Sequence, residues 1–185
     1  MRTLYQTIKD TGNPDTVERN GPILCKADTA WLGIGYYFWE GSIDLAKHWG
    51  ETHCNNKYMI CQAKSEFKPE DIFDLINNYD HIEELAYMQE ALLDKYKDKD
   101  YDDIPVCFVI EYLKSINAFV YKAVRATAIN SFGRFARRIP FIANSHIYFM
   151  ESKPAWQVCV IDKSFLIPGS YKVIYPEEYI ADYAV

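Results

Sequence analysis

The chain's clearest candidate for chemistry is the stretch at 33 to 40, GIGYYFWE, where two glycines run straight into four aromatic residues. A glycine such as Gly35 lets a ligand come close to the backbone, because no Cβ stands in the way. An aromatic face offers a flat surface on which a planar ring can stack. On a strand, alternation would send Tyr37 and Trp39 to one side and Tyr36 and Phe38 to the other, so that one face could line a site while the other filled a core. The same residues could instead pack a core on both faces, and from this stretch alone both readings stand. Two phosphate-binding loops fit the stretch poorly. GIG lacks the third glycine of a dinucleotide fingerprint and is followed by β-prone residues instead of a helix start. No Lys-Ser or Lys-Thr pair closes a P-loop.

A metal centre is not expected. His48, His53 and Cys54 cluster in HWGETHC, but a five-residue spacing places two histidines poorly for one helical face, and no second cluster completes a ligand set. A further candidate is the segment NSFGRFARRIPFIANSHIYFMESKPAW at 130 to 156, where Arg134, Arg137 and Arg138 lie among Phe132, Phe135 and Phe141. Arginines pair with phosphates and aromatics stack on bases, which fits a nucleic-acid or phosphorylated partner. The competing reading is that the arginines are solvated, or pair with the chain's own carboxylates.

Composition sets the frame for these residues. The 185 residues suffice for one domain with a sizeable core, so 1–185 is read as a single domain. Hydrophobic residues make up 49% and charged residues 25%, as in ordinary globular proteins, and the 15 Tyr and 10 Phe favour sheets. A formal net charge of -6 argues against general coating of nucleic acid. The first residues lack an apolar leader and no window reads as a membrane span, so a cytoplasmic location is expected. Five cysteines without CxxC spacing read as buried free thiols.

The positioning elements follow from periodicity. RTLYQTI at 2 to 8, GIGYYFW at 33 to 39 and KYMICQAKS at 57 to 65 read as strands, and DTGNPDTVERNGP at 10 to 22 as a turn-rich loop. Ser42 can cap a short helix over IDLAKHWGE. Ile82, Leu85, Met88, Leu92 and Leu93 give an amphipathic helix over 81 to 97, followed by a charged, exposed connection to about 103. The apolar run at 104 to 119 is long enough for a helix. VYKAVRATA and AWQVCVIDKSFLI read as late strands, with an edge strand after 170 limited by Pro176. Strands at both ends with helices between predict an α+β domain, not repeated βαβ units.

GIGYYFWEGSIDLAKHW resembles the GxGxYF strand and following helix of the ADP-ribosyltransferase fold, on the side that includes the poly(ADP-ribose) polymerases and their bacterial relatives. LYQTI resembles that family's first strand, usually LYHGT or LWHGS, and WQVCVIDKSFLI its late strand, which normally opens with the catalytic glutamate. The resemblance implies a split, mostly antiparallel sheet with flanking helices. It also implies NAD as substrate, held by Gln6, Thr7, Gly35, Tyr36 and Tyr37. The family's His-Tyr-Glu triad falls here on Gln6, Tyr37 and Gln157. A serine used by some relatives falls on Leu45, which donates no side-chain hydrogen bond. The loop before the late strand, with Arg134, Arg137, Arg138 and Glu151, would face the acceptor, a protein or nucleic acid. The implied activity is mono-ADP-ribosyl transfer, in a toxin or defence effector with an antitoxin or other partner by analogy. The alternative is a catalytically silent NAD-type binding module.

Overall fold

The computed structural model describes residues 1–97, 103–127, 138–143 and 147–180. β1 (Arg2–Lys9) is an eight-residue strand whose Leu4 faces the core. β2 (Tyr36–Glu40), β3 (Tyr58–Ser65), β4 (Ile72–Asp74), β5 (Ala123–Thr127), β8 (Trp156–Val160) and β9 (Lys172–Tyr175) complete a seven-stranded sheet in the order β4-β5-β8-β2-β1-β3-β9. All its neighbours are antiparallel except β4 and β5. β6 (Arg138–Pro140) and β7 (Phe149–Glu151) form a separate two-stranded hairpin. With four α-helices among the described residues, the fold class is mixed α+β with a mostly antiparallel sheet.

Alternation assigns each face of the sheet its own cover. Leu4, Phe38, Met59, Val158 and Val160 point to one face, where Val17, Phe165, Leu166 and Tyr171 close over them. On the other face Trp39 and Ile60 pack against Leu45 and Ala46 of α2 (Ile43–His53), while Phe73, Val124 and Cys159 meet Ile110 of α4 (Val106–Ser115). α3 (Tyr79–Lys95) lies against α4 through Leu92, Val109 and Leu113. Central strands buried on both faces explain why YYFWE and WQVCV are nearly continuous apolar runs.

Local signals set the helix starts. Ser42 Oγ accepts from Leu45 N and caps α2, as its sequence suggests. α3 begins at Tyr79 because Asn78 Oδ1 accepts from Asp80 N and His81 N, a cap the apolar spacing alone does not reveal. Three expectations need correction. The stretch at 10 to 22 is not wholly loop: α1 (Pro14–Asn20) forms there, with Pro14 in its first turn. The late strand ends at Val160, since Asp162 caps a 3₁₀ turn over Lys163–Phe165. Of the five free cysteines, Cys61 and Cys159 are buried while Cys25, Cys54 and Cys107 are partly exposed. Most of the charged connection, at 98 to 102, lies outside the described residues.

Candidate functional site

The segments carrying Gln6, Tyr37 and Gln157 are neighbouring strands, β1, β2 and β8. β1 and β2 pair at Leu4↔Glu40 and Tyr5↔Trp39, whereas β1 stays in register with β3 as far as Lys9. Thr3 O accepts from Gly41 N at 2.9 Å, and the two-residue alternation of an antiparallel ladder turns the backbone groups of Tyr5 and Thr7 the same way. At Thr7, however, β2 has diverged. The sheet forks there, and Tyr37 O accepts instead from the Gln6 side chain, at 3.4 Å.

The chain itself enters the fork. Gln6 Nε2 donates to Ile23 O at 2.9 Å, and Ile23 N donates back to Gln6 Oε1 at 2.8 Å. Cys25 and Gly35 exchange backbone hydrogen bonds of 2.9 and 3.3 Å. Residues 23 to 25 thus take the place beside the start of β2 that β1 has left. Tyr171 also donates its hydroxyl to Gln6 Oε1 at 2.8 Å, so this 4% exposed amide has both ends occupied.

Tyr37 and Gln157 lie on the opposite face of the sheet from the Gln6 side chain. The Tyr37 hydroxyl accepts from Leu32 N at 2.8 Å and donates to Gly33 O at 2.9 Å, clasping one turn of the 26 to 34 loop. Its half-buried ring packs with Leu32, Val124 and Cys159. Burial pushes the Tyr37 hydroxyl well above the ordinary phenol range, with the Cys159 thiol adding to the effect. Burial also pushes Cys159 up to about 12, so both groups are neutral at neutral pH. Gln157 accepts from Trp31 Nε1 at 2.9 Å. One connecting segment, 23 to 33, therefore bonds all three residues.

The remaining cofactor candidates are spread out. The Thr7 hydroxyl donates to Ala46 O at 2.7 Å and ties β1 to α2, leaving its backbone turned toward the fork. Gly35 is needed for packing: a Cβ there would collide with Cys159 Sγ and stand 2.8 Å from Val160 O. Tyr36 faces the other side of the sheet from Tyr37, with Lys163 Nζ 5.0 Å from its ring centre. Among the acceptor candidates, Arg138 and Glu151 sit opposite one another in the β6–β7 hairpin, and the Arg138 guanidinium lies 4.3 Å from the Phe149 ring centre. Arg134 and Arg137 lie outside the described residues.

Sequence reasoning missed two sets of residues. One is the clasp on the loop: Glu111 Oε1 accepts from Ile34 N at 2.7 Å, Lys114 Nζ donates to Ile34 O at 3.0 Å, and the two charges pair at 2.7 Å. Nothing in a helical sequence marks this long-range contact. The other is a buried ion cluster. Arg125, 1% exposed, donates through Nε to Glu40 Oε2 at 2.6 Å and through Nη1 to Asp74 at 3.1 and 3.2 Å, and Arg2 also pairs with Glu40. Its signal was available: single charges inside the apolar strands YYFWE and AVRAT must find partners if those strands are buried.

Two cavities lie on the Gln6 face of the sheet, away from Tyr37. One of about 230 Å³ is lined by Phe67, Lys122 and Phe165 among others. The other, of about 430 Å³, lies beside Arg2, Asp74, His81 and Arg125. Among the described residues no group of three His, Cys, Asp or Glu could hold a metal ion, and no helix is long and apolar enough to cross a membrane. No protein-family model, curated protein or solved structure matches the chain.

Proposed function

We propose that the fork between β1 and β2 is an NAD-binding cleft of the ADP-ribosyltransferase kind, and that the protein transfers a single ADP-ribose to a macromolecular acceptor. The observation that carries this reading is that the three resembling segments form adjacent strands, with Tyr37 and Gln157 on one face, Gln6 on the other, and the sheet splitting between Gln6 and Tyr37. Thr7 turns backbone polar groups into that split, as a carboxamide-binding strand requires, and Tyr37 supplies an aromatic ring beside it. Since the 23 to 33 segment fills the hydrogen bonds of Gln6 and Tyr37, NAD must displace that part of it to enter.

Cleaving the ribose–nicotinamide bond develops positive charge on the sugar, which a fixed carboxylate would stabilise. Gln157 keeps the shape without the charge, a loss of about 3 to 4 kcal/mol in barrier lowering, or roughly 100- to 1000-fold in rate. Single transfer is compatible with that slowing. Chain elongation, which in the resembling family leans on the glutamate, is not. A second reading, a catalytically silent NAD-type binding module, is favoured by the same Gln157 amide.

Nicotinamide release by folded protein separates the two. The transferase reading expects slow release by the wild type and an increase of about 100-fold in Gln157→Glu, abolished by adding Tyr37→Ala. Binding of NAD without release would select the silent module. Absence of binding in both proteins would sink the cleft itself.

A further inference from the structure

We infer that Trp31 is the positioning residue of the site: it fixes the orientation of the Gln157 side chain, so that the amide nitrogen, a donor, is the half presented to a ligand. This rests on the reading of the fork as a nucleotide cleft, but its basis is local geometry. An amide's oxygen and nitrogen differ little in shape, so only the hydrogen-bond partner decides which way the group points. The partner here is unambiguous. Indole Nε1–H can only donate, and it lies 2.9 Å from Gln157 Oε1.

The other half of the amide follows by elimination. Gln157 is 8% exposed, yet among the described residues no buried side-chain nitrogen or oxygen lacks a hydrogen-bond partner. Among the described residues Gln157 has a single side-chain hydrogen bond, through its oxygen, so Nε2 is not sealed in the core. Gln6 and Tyr37 offer no equivalent, since the amide of one and the hydroxyl of the other are filled by Ile23, Tyr171, Leu32 and Gly33. The group docking at Gln157 must therefore accept a hydrogen bond, as a ribose hydroxyl oxygen or a carbonyl does. In a Gln157→Glu chain the same indole would hold one carboxylate oxygen and leave the other facing the ligand. Trp31 is 37% exposed, so the residue that orients Gln157 is itself within reach of a ligand.

The test has a ligand-free arm and an NAD arm. In the ligand-free arm, the Trp31 indole N–H is followed by NMR in the Gln157→Glu variant through the carboxylate range, roughly pH 3 to 7, with Trp31→Phe identifying the signal. The indole signal should move with ionisation of the new carboxylate, whereas in the wild type it should not. An indole signal that ignores this ionisation overturns the positioning role. In the NAD arm, Trp31→Phe keeps the aromatic bulk but frees the amide, and should weaken NAD binding by roughly 10-fold, the worth of one oriented hydrogen bond. Unchanged affinity in Trp31→Phe overturns the claim that orientation matters to the ligand. If the indole responds but the wild type binds no NAD, the positioning of residue 157 stands and the nucleotide reading of the fork falls.

Discussion

The chain keeps two buried polar clusters within one sheet, and they are built from opposite materials. At the fork, Gln6, Tyr37 and Gln157 are neutral and bond mainly to the backbone and indole of a single connecting segment. At the other end of β2, Glu40 joins Arg125, Asp74 and Arg2 in a network of full charges. Neutral groups that leave a segment can be satisfied by water or by a ligand at modest cost. A buried charge that loses its partner has no such alternative. The arrangement thus makes the ion cluster the fixed end of the sheet and the fork the end able to exchange partners, which is what a site requires.

Arg125→Met should give the largest effect, because it leaves the buried Glu40 carboxylate partly unpaired and takes the guanidinium from the half-buried Asp74. About 3 to 5 kcal/mol of stability should be lost, measured by urea denaturation. Replacing Glu40 with Gln in the same background removes one of the orphaned charges and should recover part of the loss. A change below about 1 kcal/mol on Arg125→Met would erase the distinction between the two clusters.

Gln6→Ala probes the neutral cluster at its most buried member. It strands the Ile23 peptide and the Tyr171 hydroxyl, so about 2 to 3 kcal/mol should be lost, and hydrogen exchange should speed up at Ile23 and Cys25. Exchange that accelerates equally throughout β3 would mean that the fork and the sheet open as one unit. Tyr37→Phe is milder. It keeps the ring in place and removes the hydroxyl that clasps Leu32 and Gly33, for an expected loss of about 1 to 2 kcal/mol by the same denaturation assay. A stability gain would place the Tyr37 ring among ordinary core aromatics, with its hydroxyl dispensable.

How far these features could be read from sequence depends on the range of the interaction. The α2 cap, the strands around Tyr37 and Cys61, and the amphipathic run through Leu92 are written in residues a few positions apart, and they were legible. α1 was hidden because Gly12, Pro14 and Gly21 look like turn punctuation, although Pro14 at a helix start marks the opposite. The Trp31–Gln157 contact spans 126 residues, and Arg125 meets Glu40 across 85. Those pairs exist only once β8 has been placed between β2 and β5. GIGYYFWE likewise shows two aromatic faces without revealing that residues 23 to 25 fill the space beside them.

The alkaline limb of stability offers the finest test. Burial raises the Cys159 thiol to about 12 and the Cys61 thiol to about 11, against roughly 8.5 in an unfolded chain. Above about pH 8.5 the unfolded chain therefore releases thiol protons that the folded chain still holds. The stabilisation from these neutral thiols is fully present below that pH and is lost as pH rises toward the two folded values. Each thiol can contribute at most about 1.4 kcal/mol per pH unit, and about half of that slope at pH 8.5. Urea midpoints between about pH 8.5 and 9.5 emphasise the thiols, because unfolded tyrosines are still mostly protonated there, and the comparison with Cys159→Ala separates Cys159 from Cys54, which burial also raises. Cys159→Ala changes packing by an amount independent of pH, so it should shift the whole curve and also flatten its alkaline slope. Parallel curves for the two proteins would mean that the Cys159 thiol ionises as readily in the folded chain as in the unfolded one, and that the floor beneath Tyr37 is wet.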